Sequence, residues 1–114
     1  MEAIAKDRFV RISPRKLRLV CDLIKGKNVE SALSILEFTP KRGAKIIYKT
    51  LLSAVANARS QQNVDEDRLF VKQALADSGP TWKRSMMRAH MRTTPNPHLR
   101  PAPQTEKDMQ LCQR

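Results

Sequence analysis

The stretch from Thr39 to Gln62 most constrains what this chain can fold into, because it predicts one long amphipathic helix. Thr39–Pro40 is typical of a helix start, since a Thr hydroxyl can accept from a first-turn amide and Pro at the first position loses no needed donor. The apolar residues that follow recur at steps of three and four and form one stripe: Ala44, Ile47, Tyr48, Leu51, Val55 and Ala58. A helix of about six turns is the longest element available, so shorter elements must pack against it.

Two shorter helices are predicted before the long one. Ser13–Pro14 repeats the start signal, and this helix is expected to end near Lys25, where Gly26 can close it. Its apolar face is broad enough to contact both a sheet and another helix. Asn28 can cap a third helix, which runs from Val29 to about Glu37.

Strand signals lie on both sides of the helices. Residues 2–12 alternate weakly, and Leu69 to Asp77 alternates better, with Gly79–Pro80 expected to break that strand. No apolar return strand is found beyond it, so its edge is expected to stay unpaired and no rigid hairpin is expected. Four prolines are expected to exclude a β-strand after Arg92 and to leave an irregular, disordered tail: Pro95, Pro97, Pro101 and Pro103.

The charge balance indicates a polyanionic partner. The 114 residues carry a net charge of +11, from 22 Lys and Arg against 11 Asp and Glu, and such an excess costs self-repulsion in the free protein. Nucleic acid is the first candidate and an anionic membrane surface the second. No apolar run approaches the ~20 residues of a membrane span. The charged N-terminus is not typical of a secretory signal, and Cys21 and Cys112 form no disulfide framework, so a reducing cytosol is expected.

Basic residues stand at the starts of two predicted helices. Arg15 and Lys16 lie in the first turn of one, and Lys41 and Arg42 lie in the first turn of the other. Helix N-termini carry partial positive charge, so each cation there is unfavourable by roughly 0.3–1 kcal/mol. One interpretation is a phosphate held by the free amides and the side chains together. The alternative is that these are solvated surface charges on a basic protein.

From Ser78 to Thr105 the chain has no acidic residue. Arg side chains in this segment can clamp phosphates and stack on bases, and Trp82 offers a stacking surface. The alternative is a flexible basic tail that binds any polyanion. An enzyme is not supported: His90 and His98 have no metal ligands at suitable spacing, no Gly-rich phosphate loop occurs, and no Ser or Cys has a base near it. No catalytic residue, cofactor or metal is therefore predicted.

Several runs of the chain carry a further signal: Val10–Lys16, Leu19–Lys27, Ala32–Leu33 with Ile35–Leu36, Phe38–Arg42, Ser53–Ala58, and Gly79–Thr81 with Lys83–Arg84. In their order and spacing over about residues 1–90, they resemble the large-subunit ribosomal protein twenty-two family, bacterial type. The resemblance implies an α+β fold of three helices packed on a small antiparallel sheet. It also implies a long basic hairpin arm that runs through ribosomal RNA to the nascent-peptide exit tunnel.

This resemblance also implies a structural and assembly role. The expected partners are large-subunit ribosomal RNA, neighbouring ribosomal proteins and the nascent peptide, with no membrane and no homo-oligomer. The expected location is the cytoplasmic ribosome, with an organellar ribosome as an open alternative. The candidate RNA-binding residues are the basic residues of the helices and the arm, with one aromatic: Arg11, Arg15, Lys16, Arg18, Lys25, Lys27, Lys41, Arg42, Lys45, Lys49, Trp82, Lys83, Arg84, Arg88 and Arg92.

The similarity to this family weakens after His90. The family continues with Gly and a dense run of Arg and Lys, then a β-branched closing strand, whereas this chain continues with a Pro-rich segment. A shifted reading frame or a divergent lineage would each explain the difference. We therefore expect a globular RNA-binding domain at 1–80 and an extended arm with a disordered tail at 81–114.

A DNA-binding regulator is the rival hypothesis. Ser13 to Glu37 forms two predicted helices with a short turn, as in a helix-turn-helix. The second of these helices, however, has two Glu and no Arg, Lys, Asn or Gln, so it is poorly suited to contacting base edges.

Overall fold

A computed structural model describes residues 2–61, 66–81, 85–95 and 103–113, the last of these as backbone. The fold is α+β, with three helices packed on a small antiparallel sheet, and this confirms the predicted class. The helices are α1 (Pro14–Ile24), α2 (Val29–Phe38) and α3 (Arg42–Gln61). The strands are β1 (Glu2–Val10), β2 (Leu69–Thr81), β3 (Ser85–Met87), β4 (Thr93–Pro95) and β5 (Pro103–Gln113).

The main sheet has three strands in the order β1-β5-β2, so the last strand of the chain lies in the centre. Met109 pairs with Ala5 on one side and with Ala74 on the other, both antiparallel. The prediction that no β-strand follows Arg92 is therefore wrong, and β2 does not lack a partner. Pro103 is the first residue of β5, where a missing amide donor is tolerated, and every later residue of the strand has an N–H.

The prediction that Gly79–Pro80 breaks β2 is also wrong, because the strand continues to Thr81. Ser78 pairs with Thr105 and Thr81 with Pro103, so an extra residue is accommodated at Gly79–Pro80. This irregularity lies on an edge strand, where a bulge and a proline are both tolerated.

A short hairpin formed by β3 and β4 corrects the prediction that the arm holds no hairpin. Met86 pairs with Thr94 and Met87 with Thr93, and the Arg88 amide donates to the Arg92 carbonyl over 2.9 Å. The turn between them is tight, since His90 has φ 64° in the left-handed region. Trp82, Lys83 and Arg84 lie outside the described residues.

The helix ends differ from prediction at Thr39. Helix α3 begins at Arg42, and the Thr39 hydroxyl donates to the Ile35 carbonyl over 2.6 Å, so Thr39 closes α2 instead. Ser13 precedes α1 as predicted but makes no side-chain cap bond. Gly26 follows α1 with φ 75°, which confirms its predicted role.

The core lies between the helices and one face of the sheet. The predicted stripe of α3 is buried except for Tyr48, which is half-buried. α1 contributes Leu17, Val20 and Ile24, and Cys21 is a buried thiol as expected. The sheet contributes mostly small residues, with β1 lying against α3 and β2 against α1: Ala3, Ala5, Ala74 and Ala76, together with Val71.

Candidate nucleic-acid interface

The first turns of α1 and α3 are in contact. A Cβ placed on Gly43, the second residue of α3, would lie 2.8 Å from Leu17 Cδ2. Leu17 is fully buried and lies in the first turn of α1. The backbone of α3 at Gly43 therefore lies directly against the Leu17 side chain. We call the exposed cations at these two helix starts, Arg15, Lys16, Lys41 and Arg42, the helix-start patch. Neither first turn contains an acidic residue.

A row of lysines continues this patch along α3. Lys41, Lys45 and Lys49 are all exposed. Lys45 and Lys49 are one helical turn apart in α3 and lie on one side of it, and Lys41 stands just before the helix. Lys41 and Lys45 line a concavity of about 370 Å³ with Thr39, Pro40 and Arg42. The sequence predicted these cations as separate features, and the fold brings the two helix starts that carry four of them into contact.

Arg18 is exposed and also makes a hydrogen bond within the fold. Its Nε donates to the Ala76 carbonyl over 2.9 Å, and this bond ties α1 to β2. The two residues are 58 positions apart, so no local pattern could reveal the contact. Arg11, Lys25 and Lys27, the other candidates near the ends of β1 and α1, are exposed.

The connection between α1 and α2 is fixed to the sheet. The Gly26 amide donates to the Val71 carbonyl over 2.8 Å, and the Val71 amide donates to the Lys27 carbonyl over 2.9 Å. Lys25 and Lys27 therefore belong to a connection that is hydrogen-bonded to Val71 of β2. Their positions are set by the fold, in contrast to cations on a free loop.

The β3–β4 hairpin presents cations on both sides of its turn. Arg88 and Arg92 are exposed, and their backbones are joined by the hydrogen bond that closes the turn. Met86, Met87 and Met91 are exposed as well, Met91 at 92%. Polarizable thioethers next to guanidinium groups suit contacts with phosphates and with apolar groups alike.

One feature that sequence reasoning missed is a groove between α2 and α3. We call it the α2–α3 groove. It encloses about 500 Å³ and is lined by Leu36, Glu37, Thr39, Lys45, Tyr48, Lys49 and Leu52. Leu52 is 43% exposed and lies off the apolar stripe of α3. A large apolar residue outside the stripe was the sequence signal that could have indicated this groove.

Within the part of the chain that the structure describes, no group of three His, Cys, Asp or Glu residues could hold a metal ion. Among the same residues, none of the helices is long and apolar enough to cross a membrane. The arrangement is that of a small basic α+β protein whose described candidate cations are all exposed.

Comparison with known proteins assigns the chain to a family. The family model described as Ribosomal protein L22p/L17e matches residues 5–99, and the chain belongs to this family. It is 56% identical over 89 residues to the large ribosomal subunit protein uL22 of Thermoanaerobacter sp. (strain X514), covering 78% of this chain and 80% of that protein. For uL22 of Syntrophotalea carbinolica the identity is 52% over 94 residues, covering 82% and 86%.

This membership confirms the resemblance inferred from the sequence. The chain is a large-subunit ribosomal protein and is associated with the ribosome. Its relatives are named as ribosomal proteins, so the expectation that it is not an enzyme is confirmed as well. For uL22 of Lawsonia intracellularis the similarity extends over 100 residues at 48% identity, covering 88% of this chain.

Proposed function

We propose that this chain binds large-subunit ribosomal RNA and supports subunit assembly, with no chemistry of its own. The observation that carries the proposal is the contact between the starts of α1 and α3, two helix N-termini at which four exposed cations stand. In the free protein those cations oppose the helix dipoles. A bound phosphate makes the arrangement favourable, because the amides, the dipoles and the side chains then all attract one anion.

The hairpin arm is the second element of this proposal. The described residues extend over 66 Å in the longest direction and only 15 Å in the shortest, which suits a protein that follows RNA. The β3–β4 hairpin, with Arg88 and Arg92, enters a ribosomal RNA crevice and reaches the nascent-peptide tunnel. Because β5 pairs with β1 and β2, it belongs with the globular residues 1–80, and the proposed arm is shorter than 81–114.

The proposal includes the RNA-binding role of the cations outside these two elements. They are the exposed Arg11, Arg18, Lys25, Lys27, Lys45 and Lys49, together with Trp82, Lys83 and Arg84 outside the described residues. The protein acts as a single copy beside neighbouring large-subunit proteins, and its arm contacts the nascent peptide. The resemblance to the family supports both parts of the proposal.

Filter binding at several salt concentrations tests RNA binding directly. With about six phosphate contacts, the affinity for a large-subunit RNA fragment should fall by roughly three decades between 50 and 200 mM salt. A DNA duplex of equal length is the control and also tests the regulator hypothesis. Equal affinity for both at physiological salt would contradict a ribosomal RNA role.

A further inference from the structure

The α2–α3 groove combines an apolar lining with cations at its rim. Leu36 is buried at 2% exposure, Tyr48 is half-buried against the core, and Leu52 is 43% exposed. Lys45 and Lys49 line the same groove and are exposed. The volume of the groove, about 500 Å³, is in the range of small-molecule pockets.

The two lysines decide which kind of apolar group fits. They lie one helical turn apart, so their Cβ atoms are roughly 5–6 Å from each other on one face. An apolar side chain from a protein would use the lining but would leave both ammonium groups without a role. A nucleotide extruded from a helix uses both, since its base is flat and apolar on its faces and its flanking phosphates are anionic.

Glu37 also lines the groove, on the α2 side. A carboxylate repels phosphate, so the backbone of a bound strand must lie on the α3 side with Lys45 and Lys49. The same carboxylate can accept a hydrogen bond from an exocyclic amino group of a base. The groove is thus basic on its α3 side and acidic on its α2 side. The basic side suits the anionic phosphates of a nucleotide, and the acidic side suits the hydrogen-bond donors on the edge of its base.

We propose that the α2–α3 groove binds one unpaired nucleobase of the ribosomal RNA. The base lies against Tyr48 and Leu52, and the phosphates beside it contact Lys45 and Lys49. The proposal rests on the RNA binding proposed above and adds a specific site for a bulged or flipped nucleotide. Stacking of one base is worth about 1–3 kcal/mol, which corresponds to roughly 5- to 150-fold in affinity.

Two RNA hairpins that differ at one position test the proposal. Each has a single-nucleotide bulge, which is 2-aminopurine in one and an abasic residue in the other. The full chain should bind the 2-aminopurine hairpin at least about fivefold more tightly and should quench its fluorescence. Leu52→Ser should reduce the difference between the two RNAs to less than about twofold, because it removes apolar contact from the groove.

Leu23→Ser is the matched control variant. Leu23 is 44% exposed on α1, nearly the same fraction as Leu52, and it does not line the α2–α3 groove. It should keep the full preference for the base, and thermal melts of both variants show whether either fold is impaired. Equal binding of both RNAs by the unaltered protein, or a preference that survives Leu52→Ser, overturns the groove proposal alone. Salt-insensitive or absent binding of both RNAs overturns the proposed function.

Discussion

Gly43 is the residue that lets α1 and α3 approach each other at their first turns. Leu17, its neighbour on α1, is fully buried, so it has little room to move away from a new methyl group. The Cβ of any other residue would lie 2.8 Å from Leu17 Cδ2, well inside van der Waals contact. The arrangement of the helix-start patch therefore depends on a residue with no side chain.

Gly43→Ala should lower the free energy of unfolding by about 1 kcal/mol. Overpacking of a core costs roughly 1–3 kcal/mol, and the better helix propensity of Ala offsets up to about 1 kcal/mol of this. Urea unfolding followed by circular dichroism measures the change. In a Leu17→Val background, where the Cδ atoms are absent, the same substitution should be neutral or stabilising. An equal loss in both backgrounds would show that the Leu17 contact is not its cause.

Residue-scale predictions from the sequence succeeded where the chemistry is local. Every described candidate cation is exposed, Gly26 has a positive φ, and Cys21 is buried. Thr39 was misassigned because Thr–Pro is typical of a helix start, while its hydroxyl can equally donate backwards to the preceding helix. The contact of Arg18 with Ala76 joins residues far apart in the chain, so no pattern of spacing contains it.

At the scale of elements, β5 is the strand on which the sheet depends. It lies between β1 and β2, which have no pairing with each other in the described register. Without β5, both would be single strands packed on helices, with open edges along their length. The end of the chain therefore contributes the centre of the sheet.

Met109→Pro should disrupt the sheet and lower the free energy of unfolding by at least about 1–3 kcal/mol, the cost of leaving a buried hydrogen-bond partner unsatisfied. Met109 is paired on both sides, with Ala5 and Ala74, so proline there removes a ladder hydrogen bond in a central strand. Met109→Ala is the control, because it shortens the side chain and keeps the amide. Hydrogen exchange should show slow amides in β5 of the unaltered protein. Fast exchange throughout 104–113 would contradict the central-strand role.

The sequence predicted the helices better than the strands. The period of α3 is local, and its stripe was recovered almost completely, with only Tyr48 left half-buried. β5 was missed because its residues are largely polar and because prolines before it suggested irregular structure. Those prolines stand at strand ends in the described residues, Pro95 closing β4 and Pro103 opening β5, so they bound the strands without interrupting them.

At the scale of the whole molecule, the positive charge is concentrated on the exterior, where it does not stabilise the fold. The helix-start patch, the lysine row and the hairpin tip all lie on the exterior, while the core between helices and sheet is apolar apart from Thr50. The net charge of +11 does not stabilise the fold, because it adds self-repulsion. The groove followed from the packing of α2 against α3, which a single sequence does not reveal.

Arg15→Glu combined with Lys41→Glu should separate binding from stability. Both residues lie at helix starts, where an acidic side chain is favoured by the dipole and a basic one is not. The free protein should therefore be as stable as before, or more stable by up to about 1 kcal/mol, in thermal melts. RNA binding should weaken, because two phosphate contacts are replaced by repulsion, and the slope of log affinity against log salt should fall by about two.

The matched control for this double variant is Arg8→Glu combined with Arg68→Glu. Both residues are exposed and neither is a candidate for RNA contact, so this pair removes the same net charge from another part of the surface. Its salt slope should stay close to that of the unaltered protein, since steering by net charge changes affinity without removing a defined contact. If both double variants lost the same slope, binding would depend on total charge, and the helix-start patch would have no special role. A large loss of stability in Arg15→Glu with Lys41→Glu would instead make these two residues structural partners within the fold.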